Sequence, residues 1–373
     1  MIQTNKQNKN KLRILISAGG TGGHLFPAIA IADELKLHPL IEEVLFVGTK
    51  KRMESEIIPN LGYRYSWTSI MALPRKISFK MILFVISFIY SLIQGVILVL
   101  RYRPAIGIGT GSYISVPPLF AVRLFGKEIV LIEPNLLPGI ATKFLAPFAK
   151  EVYLSFEDSK KYLKDKNNLI VTGSPIRKSL FKHDRIAAAK YFNLSPELKT
   201  ILILGGSLGA RSINDKIREI YYLLSKDYQV IWQTGNRDYV LYKDLPKNEK
   251  VVIIPFIDRM DYAYSICDLL ISRSGASTIS EIVYQGLVSI LVPSPNVAEN
   301  HQYYNALALY EKVAAELHLD NETSEALYKK IVELLKDEVS MRRISENAKS
   351  LFKKDANEII VKRILKILEE YEK

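Results

Sequence analysis

Cysteine is nearly absent. The single Cys267 excludes an intrachain disulfide and any cysteine-built zinc site. No DxD or HExxH motif occurs, and no His/Asp/Glu group has metal-ligand spacing, so no metal centre is legible. The phosphate-binding signature GxxxxGK[ST] is missing as well. The first eleven residues, MIQTNKQNKNK, are polar and contain no apolar core, which argues against a secretory leader. Together with the scarce cysteine this points to a cytoplasmic setting. Extreme composition is lacking too: 48% hydrophobic and 24% charged residues exclude wholesale disorder. A chain of 373 residues is too long for one small core and suggests two domains.

What is present is a positive excess. The net charge is +12 and the pI about 9.4, which attracts nucleic acid, anionic membranes or phosphorylated substrates. Charge alone does not choose among them, and the basic C-terminal helices also read as an ordinary solvated face. No Arg-and-aromatic cluster of the nucleic-acid-binding kind is seen.

The patterning predicts a disordered arm over residues 1–10, then a strand LRILIS from Leu12, a glycine cluster and a helix from about Pro27 to Lys36. Further strands are expected at Val44–Val47, Ala105–Ile108, Ile129–Ile132 and Glu151–Leu154. The grammar then restarts. TILIL (Thr200–Leu204) runs into a second glycine cluster and a helix over Arg211–Ser225. Strands follow at Val230–Gln233, Val251–Pro255, Asp268–Ser272 and Val288–Val292, and helices at about 324–337, 339–352 and 355–371. Strands alternating with helices mean parallel sheets, so the expected fold class is α/β with two Rossmann-like domains in tandem. Gly173 and Pro175 interrupt the pattern and mark the boundary, giving expected domains at 11–172 and 173–356.

Met81–Leu100 contains no charge and is long enough to span a bilayer. It also lies between strands of one βαβ series, where a crossover helix is required. Ser87, Ser91, Gln94 and Gly95 further weaken a span. The favoured expectation is a crossover helix with an exposed apolar face. Ringed by Arg75, Lys76, Lys80, Arg101 and Arg103, such a face suits an anionic membrane surface.

Candidate chemistry sits at strand ends. Gly19-Gly20-Thr21-Gly22-Gly23-His24 joins strand to helix, where glycines permit close backbone approach and the helix N-terminus favours an anion. The spacing is not GxGxxG, and Gly48-Thr49 rather than an acid ends the second strand, which argues against a dinucleotide site. His24 titrates near neutrality and is a candidate base, with a purely structural role as the competing reading. Gly205-Gly206-Ser207-Leu208-Gly209 repeats the strand-to-helix arrangement and reads as a phosphate cradle or a capped tight turn. Gly109-Thr110-Gly111-Ser112 and Ile132-Glu133-Pro134-Asn135 also follow strands. The run Ser272 to Glu281 exposes amides at a helix start, with Glu281 placed to accept from vicinal ribose hydroxyls or to interact with the helix dipole. Gln302, at the start of a later helix, suits a sugar hydroxyl.

Beyond these local readings, GGTGGHLFPAIAIADEL, GTKKRME, GTGSYISVPP, IEPN, TGSPIR, GGSLGAR, FIDRM, RSGASTISEI and HQYYNA occur in the order found in the MurG family, which the chain resembles over residues 19–306. The resemblance implies a GT-B fold, with two Rossmann-like domains facing a cleft and the last helix (about 357–373) returning to the N-terminal domain. It implies inverting transfer of GlcNAc from UDP-GlcNAc to the 4-hydroxyl of MurNAc in lipid I, forming lipid II in peptidoglycan synthesis, with no cofactor. A different acceptor, or a 2-epimerase of the same fold, is the alternative. By the same resemblance Ser207, Arg177, Ala276, Ser277 and Thr278 contact the donor's phosphates or sugar, Ile257 contacts uracil through its backbone, Glu281 the ribose and Gln302 the GlcNAc. Thr21, Gly22 and Gly23 line the cleft, Asn135 contacts the transferred sugar, and His24 or Glu133 is the base. Where the family commonly reads His-Glu-Gln-Asn this chain has Ile132-Glu133-Pro134-Asn135, so no imidazole is available at 132. The implied setting is peripheral, on the cytoplasmic face of the cell membrane, with no nucleic-acid partner.

Overall fold

The computed structural model describes residues 11–74, 79–164, 167–177, 180, 183–206, 209–353 and 355–371. The expected arm at 1–10, and Arg75, Lys76 and Ser207 among the candidate residues, lie outside them. The chain forms two compact units: 1–134, 138–175 and 355–373 in the first, 135–137 and 176–354 in the second.

The first unit is a parallel sheet of seven strands: β1 (Leu12–Ser17), β2 (Ile41–Gly48), β3 (Arg64–Trp67), β4 (Ile106–Gly109), β5 (Glu128–Glu133), β6 (Glu151–Leu154) and β7 (Leu169–Val171). Their order is β3-β2-β1-β4-β5-β6-β7. Ile14, Leu15 and Ile16 at its centre are fully buried, which is why β1 reads as a continuous apolar run. β3 and β7 are missing from the sequence-based expectation. Both are short and only partly buried, so neither produces an apolar run.

The helices of this unit are α1 (Gly22–Leu35), α2 (Glu54–Asn60), α3 (Lys80–Tyr102), α4 (Val116–Leu124) and α5 (Ile140–Leu145). α1 starts five residues before the expected Pro27, so Gly22, Gly23 and His24 form its first turn rather than a loop. Pro27 misled the reading because proline usually starts a helix. Here the hydrogen bond it forgoes is the one to Gly23, at the helix's open end.

α3 links β3 to β4, two strands of one sheet, which is crossover geometry. Its polar residues are turned inward. Ser91 and Gly95 are buried, and Gln94 Oε1 accepts from the Ser69 amide at 2.9 Å. A β-carbon at Gly95 would stand 3.2 Å from both the Pro117 carbonyl oxygen and Ala121 Cβ, so glycine is what lets α3 lie against α4. The outer face is apolar and open, with Ile82, Val85, Ile86, Ile89 and Ile93 each about half exposed.

The second unit is a parallel sheet of β8 (Thr200–Leu204), β9 (Gln229–Gln233), β10 (Val251–Ile254), β11 (Cys267–Ser272), β12 (Ser289–Leu291) and β13 (Glu316–Leu317), in the order β10-β9-β8-β11-β12-β13. Its helices are α6 (Arg185–Phe192), α7 (Arg211–Leu224), α8 (Met260–Ile266), α9 (Ala276–Gln285), α10 (His301–Tyr310), α11 (Ser324–Lys336) and α12 (Glu338–Ser350). Two-residue β13 carries no period and was not foreseen. The final helix, α13 (Ala356–Tyr371), belongs to the first unit. There Ile360, Ile364 and Leu368 join the α1 core, and Arg363 pairs with Glu151 at 2.6 Å.

Candidate active site

In both sheets the strand order reverses beside the central strand, between β1 and β4 and between β8 and β11. Ligands of open parallel sheets bind outside the carboxyl ends at such a switch point. The glycine loops sit there because each follows the first strand of its unit: Gly19-Gly20 after β1, Gly205-Gly206 after β8. The partners across each reversal are Thr110-Gly111 after β4 and Arg273-Ser274-Gly275 after β11.

In the first unit the loop is held by a residue the sequence reading quoted only within a motif. Glu54, at the start of α2, is fully buried. Its carboxylate accepts from the Gly20 amide at 3.1 Å, the Thr49 amide at 3.0 Å and the Thr49 hydroxyl at 2.7 Å. Arg52 donates to the Gly20 carbonyl at 3.1 Å. Nothing local marks Glu54, because its partners come from the ends of two separate strands.

Thr21 caps α1 with no side-chain bond into the helix, leaving the first-turn amides of Gly22 and Gly23 open. His24 Nδ1 lies 2.5 Å from the Thr110 carbonyl oxygen. A carbonyl only accepts, so Nδ1 carries the proton and Nε2 is left as an unprotonated base. Burial pushes the His24 pKa below the ordinary imidazole value, with the Thr110 bond acting weakly the other way.

Glu133, at the end of β5, is fully buried; its Oε2 accepts from the Gly139 amide at 3.2 Å and from the Thr142 hydroxyl. A β-carbon on Gly111 would stand 3.1 Å from Glu133 Oε2 and 3.5 Å from His24 Cε1, so both candidate bases share one corner.

In the second unit Gly206 and Gly209 both lie at φ +80°. A side chain at Gly209 would also collide with the Thr234 carbonyl oxygen. Gly209→Ala is therefore expected to cost at least about 1 kcal/mol and lower the thermal unfolding midpoint. An unchanged melting curve would remove this requirement.

Ala276, Ser277 and Thr278 form the first turn of α9, whose cap Gly275 makes no side-chain bond and whose first turn holds no acid. Their amides are available to an anion. Glu281, one turn on, accepts from the Tyr264 hydroxyl at 2.5 Å and lies 3.8 Å from the Arg177 guanidinium. Burial raises its pKa, while Tyr264 and Arg177 hold it down. Arg177, expected at the donor phosphates, thus stands beside the expected ribose acceptor.

Gln302 Oε1 accepts from the Ser294 amide at 2.9 Å, which leaves its NH2 group as a donor. Ile257 is buried just beyond β10. Asn135 packs within the second unit, where Asn305 donates to its Oδ1 at 3.3 Å and accepts from the Leu136 amide at 3.0 Å. Asn305 is a second residue the sequence reading missed. It lies within the quoted HQYYNA segment, but its role depends on a partner 170 positions away.

Comparison with known proteins agrees with this architecture. Residues 14–154 match the glycosyltransferase family 28 N-terminal domain and residues 200–360 the glycosyltransferase family 28 C-terminal domain. The chain is 40% identical over 360 residues, 96% of its length and 98% of the relative's, to a protein of Flavobacterium psychrophilum. That relative is named UDP-N-acetylglucosamine–N-acetylmuramyl-(pentapeptide) pyrophosphoryl-undecaprenol N-acetylglucosamine transferase. A Thermoanaerobacter protein of the same name is 37% identical, covering 95% of this chain and 100% of that one.

The crystal structure of Acinetobacter baumannii MurG superposes with a TM-score of 0.73 at 24% identity, over 95% of this chain and 99% of that one. A putative UDP-N-acetylglucosamine 2-epimerase from Listeria monocytogenes reaches the same TM-score at 15% identity, over 97% of each chain. The fold is therefore shared with epimerases, and near-full-length sequence identity is what separates the two groups. On those grounds the chain belongs to glycosyltransferase family 28, in its MurG branch.

Proposed function

We propose that this chain is an inverting glycosyltransferase that moves N-acetylglucosamine from UDP-N-acetylglucosamine to the 4-hydroxyl of the N-acetylmuramyl residue of lipid I, forming lipid II. The observation that carries the reading is the doubled switch point. Each parallel sheet presents a glycine loop and a helix N-terminus at its reversal, and the full-length relatives carry that activity in their names.

In the reaction the acceptor oxygen attacks C1 of the sugar as the bond from C1 to the diphosphate breaks, inverting that carbon. The hydroxyl proton passes to Nε2 of His24, and UDP leaves as an anion. The second unit serves the donor. Amides of the Gly205-Gly206 loop and of Ala276, Ser277 and Thr278 receive the diphosphate charge as it develops, with Ser207 and Arg177 adding donors. Glu281 accepts from the ribose hydroxyls, the Ile257 main chain meets uracil, and the NH2 of Gln302, whose carbonyl is held by Ser294, donates to a GlcNAc hydroxyl. Asn135, held by Asn305, orients the transferred sugar. Thr21, Gly22 and Gly23 offer amides to the acceptor's pyrophosphate.

The exposed apolar face of α3, with Lys80, Arg101 and Arg103 at its ends, supports peripheral docking on the cytoplasmic face of an anionic membrane. Phe120, Phe144 and Phe148, with ring centroids 6.0–6.4 Å apart, form a further aromatic cluster in which Phe144 and Phe148 are exposed.

The test is incubation with labelled UDP-GlcNAc and a lipid-linked muramyl-pentapeptide. One GlcNAc per acceptor, joined as the β-anomer, with equimolar UDP is expected. Release of the 2-epimer without transfer to the lipid would replace this reading by the epimerase one.

A further inference from the structure

The segment Gly48-Thr49-Lys50-Lys51-Arg52-Met53-Glu54, which runs from the end of β2 into α2, carries no step of the transfer reaction. It nevertheless closes on one residue of the first glycine loop. Gly20 stands at φ +84° and is gripped at both of its backbone polar groups. Its amide donates to Glu54 Oε2 at 3.1 Å, and its carbonyl accepts from Arg52 Nη1 at 3.1 Å. Glu54 Oε1 in turn takes the amide and the hydroxyl of Thr49. The Thr49 carbonyl accepts from the Tyr65 hydroxyl, on β3, at 2.5 Å. The carboxylate therefore ties the loop after β1 to the ends of two neighbouring strands.

The surrounding backbone makes room for it. A β-carbon at Gly19 would stand 2.5 Å from Glu54 Cδ, and one at Gly48 would stand 2.6 Å from Glu54 Cγ. Two strand ends thus carry glycine where the Glu54 side chain passes. A fully buried carboxylate is costly unless its oxygens are bonded, and here three donors meet it. A glycine at positive φ is otherwise conformationally free. The chain leaves β1 through Gly20 and Thr21 into the open amides of Gly22 and Gly23, so the direction of those amides is set at Gly20.

We propose that Glu54 is a positioning residue for the acceptor: by fixing Gly20 it aims the first-turn amides of α1 at the acceptor's pyrophosphate. The role rests on the transferase reading and deepens it, since Glu54 is buried and acts through the loop without touching substrate. Charge and positioning predict opposite signs. Removing a negative charge beside an anion site would, by Coulomb's law alone, tighten acceptor binding. Loosening the loop weakens it. Glu54→Gln separates the two. It keeps the side-chain shape, but its carboxamide has to turn NH2 toward either the Gly20 amide or the Thr49 amide, and both are donors.

The test is steady-state GlcNAc transfer to a lipid-linked muramyl-pentapeptide, with each substrate varied in turn. Glu54→Gln is expected to raise the acceptor KM about tenfold or more, with the KM for UDP-GlcNAc within about twofold of the parent. Thr49→Val, a neutral change that removes one donor to Glu54, should raise the acceptor KM about fivefold. Tyr63→Phe, which deletes a hydrogen bond to Asp33 elsewhere in the first unit, is the control for stability: a lower melting temperature with both KM values unchanged.

An acceptor KM that falls in Glu54→Gln would assign the effect to charge and overturn the proposal. An unchanged KM with a lower melting temperature, the pattern of the control, would make Glu54 structural. Should Glu54→Gln not fold, Thr49→Val decides by its own acceptor KM, raised or unchanged. A parent chain that transfers no GlcNAc fails the proposed reaction and this role with it. A parent that transfers, with variants that keep its acceptor KM, fails the role of Glu54 alone.

Discussion

Replacing His24 with alanine is expected to lower kcat by about 10²–10⁴-fold while leaving the KM for UDP-GlcNAc within a few-fold of the parent value. The sequence left two candidate bases, and the local geometry supports one of them. Glu133 spends Oε2 on the Gly139 amide and the Thr142 hydroxyl, so it acts as a brace for the turn after β5. His24 commits only Nδ1, to the Thr110 carbonyl, and offers Nε2.

The pH profile provides the second arm. Burial lowers the His24 pKa, so the ring stays neutral to a lower pH than a free imidazole does. The acid limb of kcat is expected below about pH 6.5, the unperturbed value. Because the folded state disfavours the protonated ring, the same group makes the protein less stable as pH falls below that value. His24→Ala should remove the acid limb along with the rate. A variant that melts earlier but turns over normally would make His24 structural and return the base to Glu133. Glu133→Gln keeps an acceptor for Gly139 and Thr142, and is expected to lose far less kcat than His24→Ala.

The second large effect is expected at Glu281. Glu281→Ala should raise the KM for UDP-GlcNAc by about 10–100-fold, since a hydrogen bond to a charged group is worth roughly 1.5–3 kcal/mol. Loss of a buried partner for Tyr264 and Arg177 lowers stability as well, so affinity alone does not isolate the ribose contact. Discrimination does. The parent should prefer UDP to 2′-deoxy-UDP as a competitive ligand, and Glu281→Ala should bind the two equally. A variant that still prefers the ribose form would sink the assignment, whatever its KM. Glu281→Gln, which retains the shape and one acceptor, should fall between.

Much of this was legible beforehand. β6 and β8 have the bounds read from the sequence, and most other central strands agree within one or two residues. Strands buried on both faces have to be continuous apolar runs. The glycine loops were equally visible, because chain reversal at a strand's end leaves a compositional mark. The α1 start was misplaced because Pro27 resembled a helix opening, and β3, β7 and β13 went unseen because short, half-exposed edges need no special composition.

By itself, then, the sequence determined the α/β class, the tandem repetition and the glycine turns at the strand ends, since these follow from residue period and from turns a few residues long. Tertiary structure alone decided the strand order that puts Gly20 near Ser112, the Glu54 brace, the tautomer of His24, and the inward turn of Ser91 and Gln94 that leaves α3 apolar outside. Each depends on pairing residues dozens of positions apart. A local pattern records which face of an element is apolar, but it does not record which distant carbonyl, carboxylate or helix will come to rest against the other.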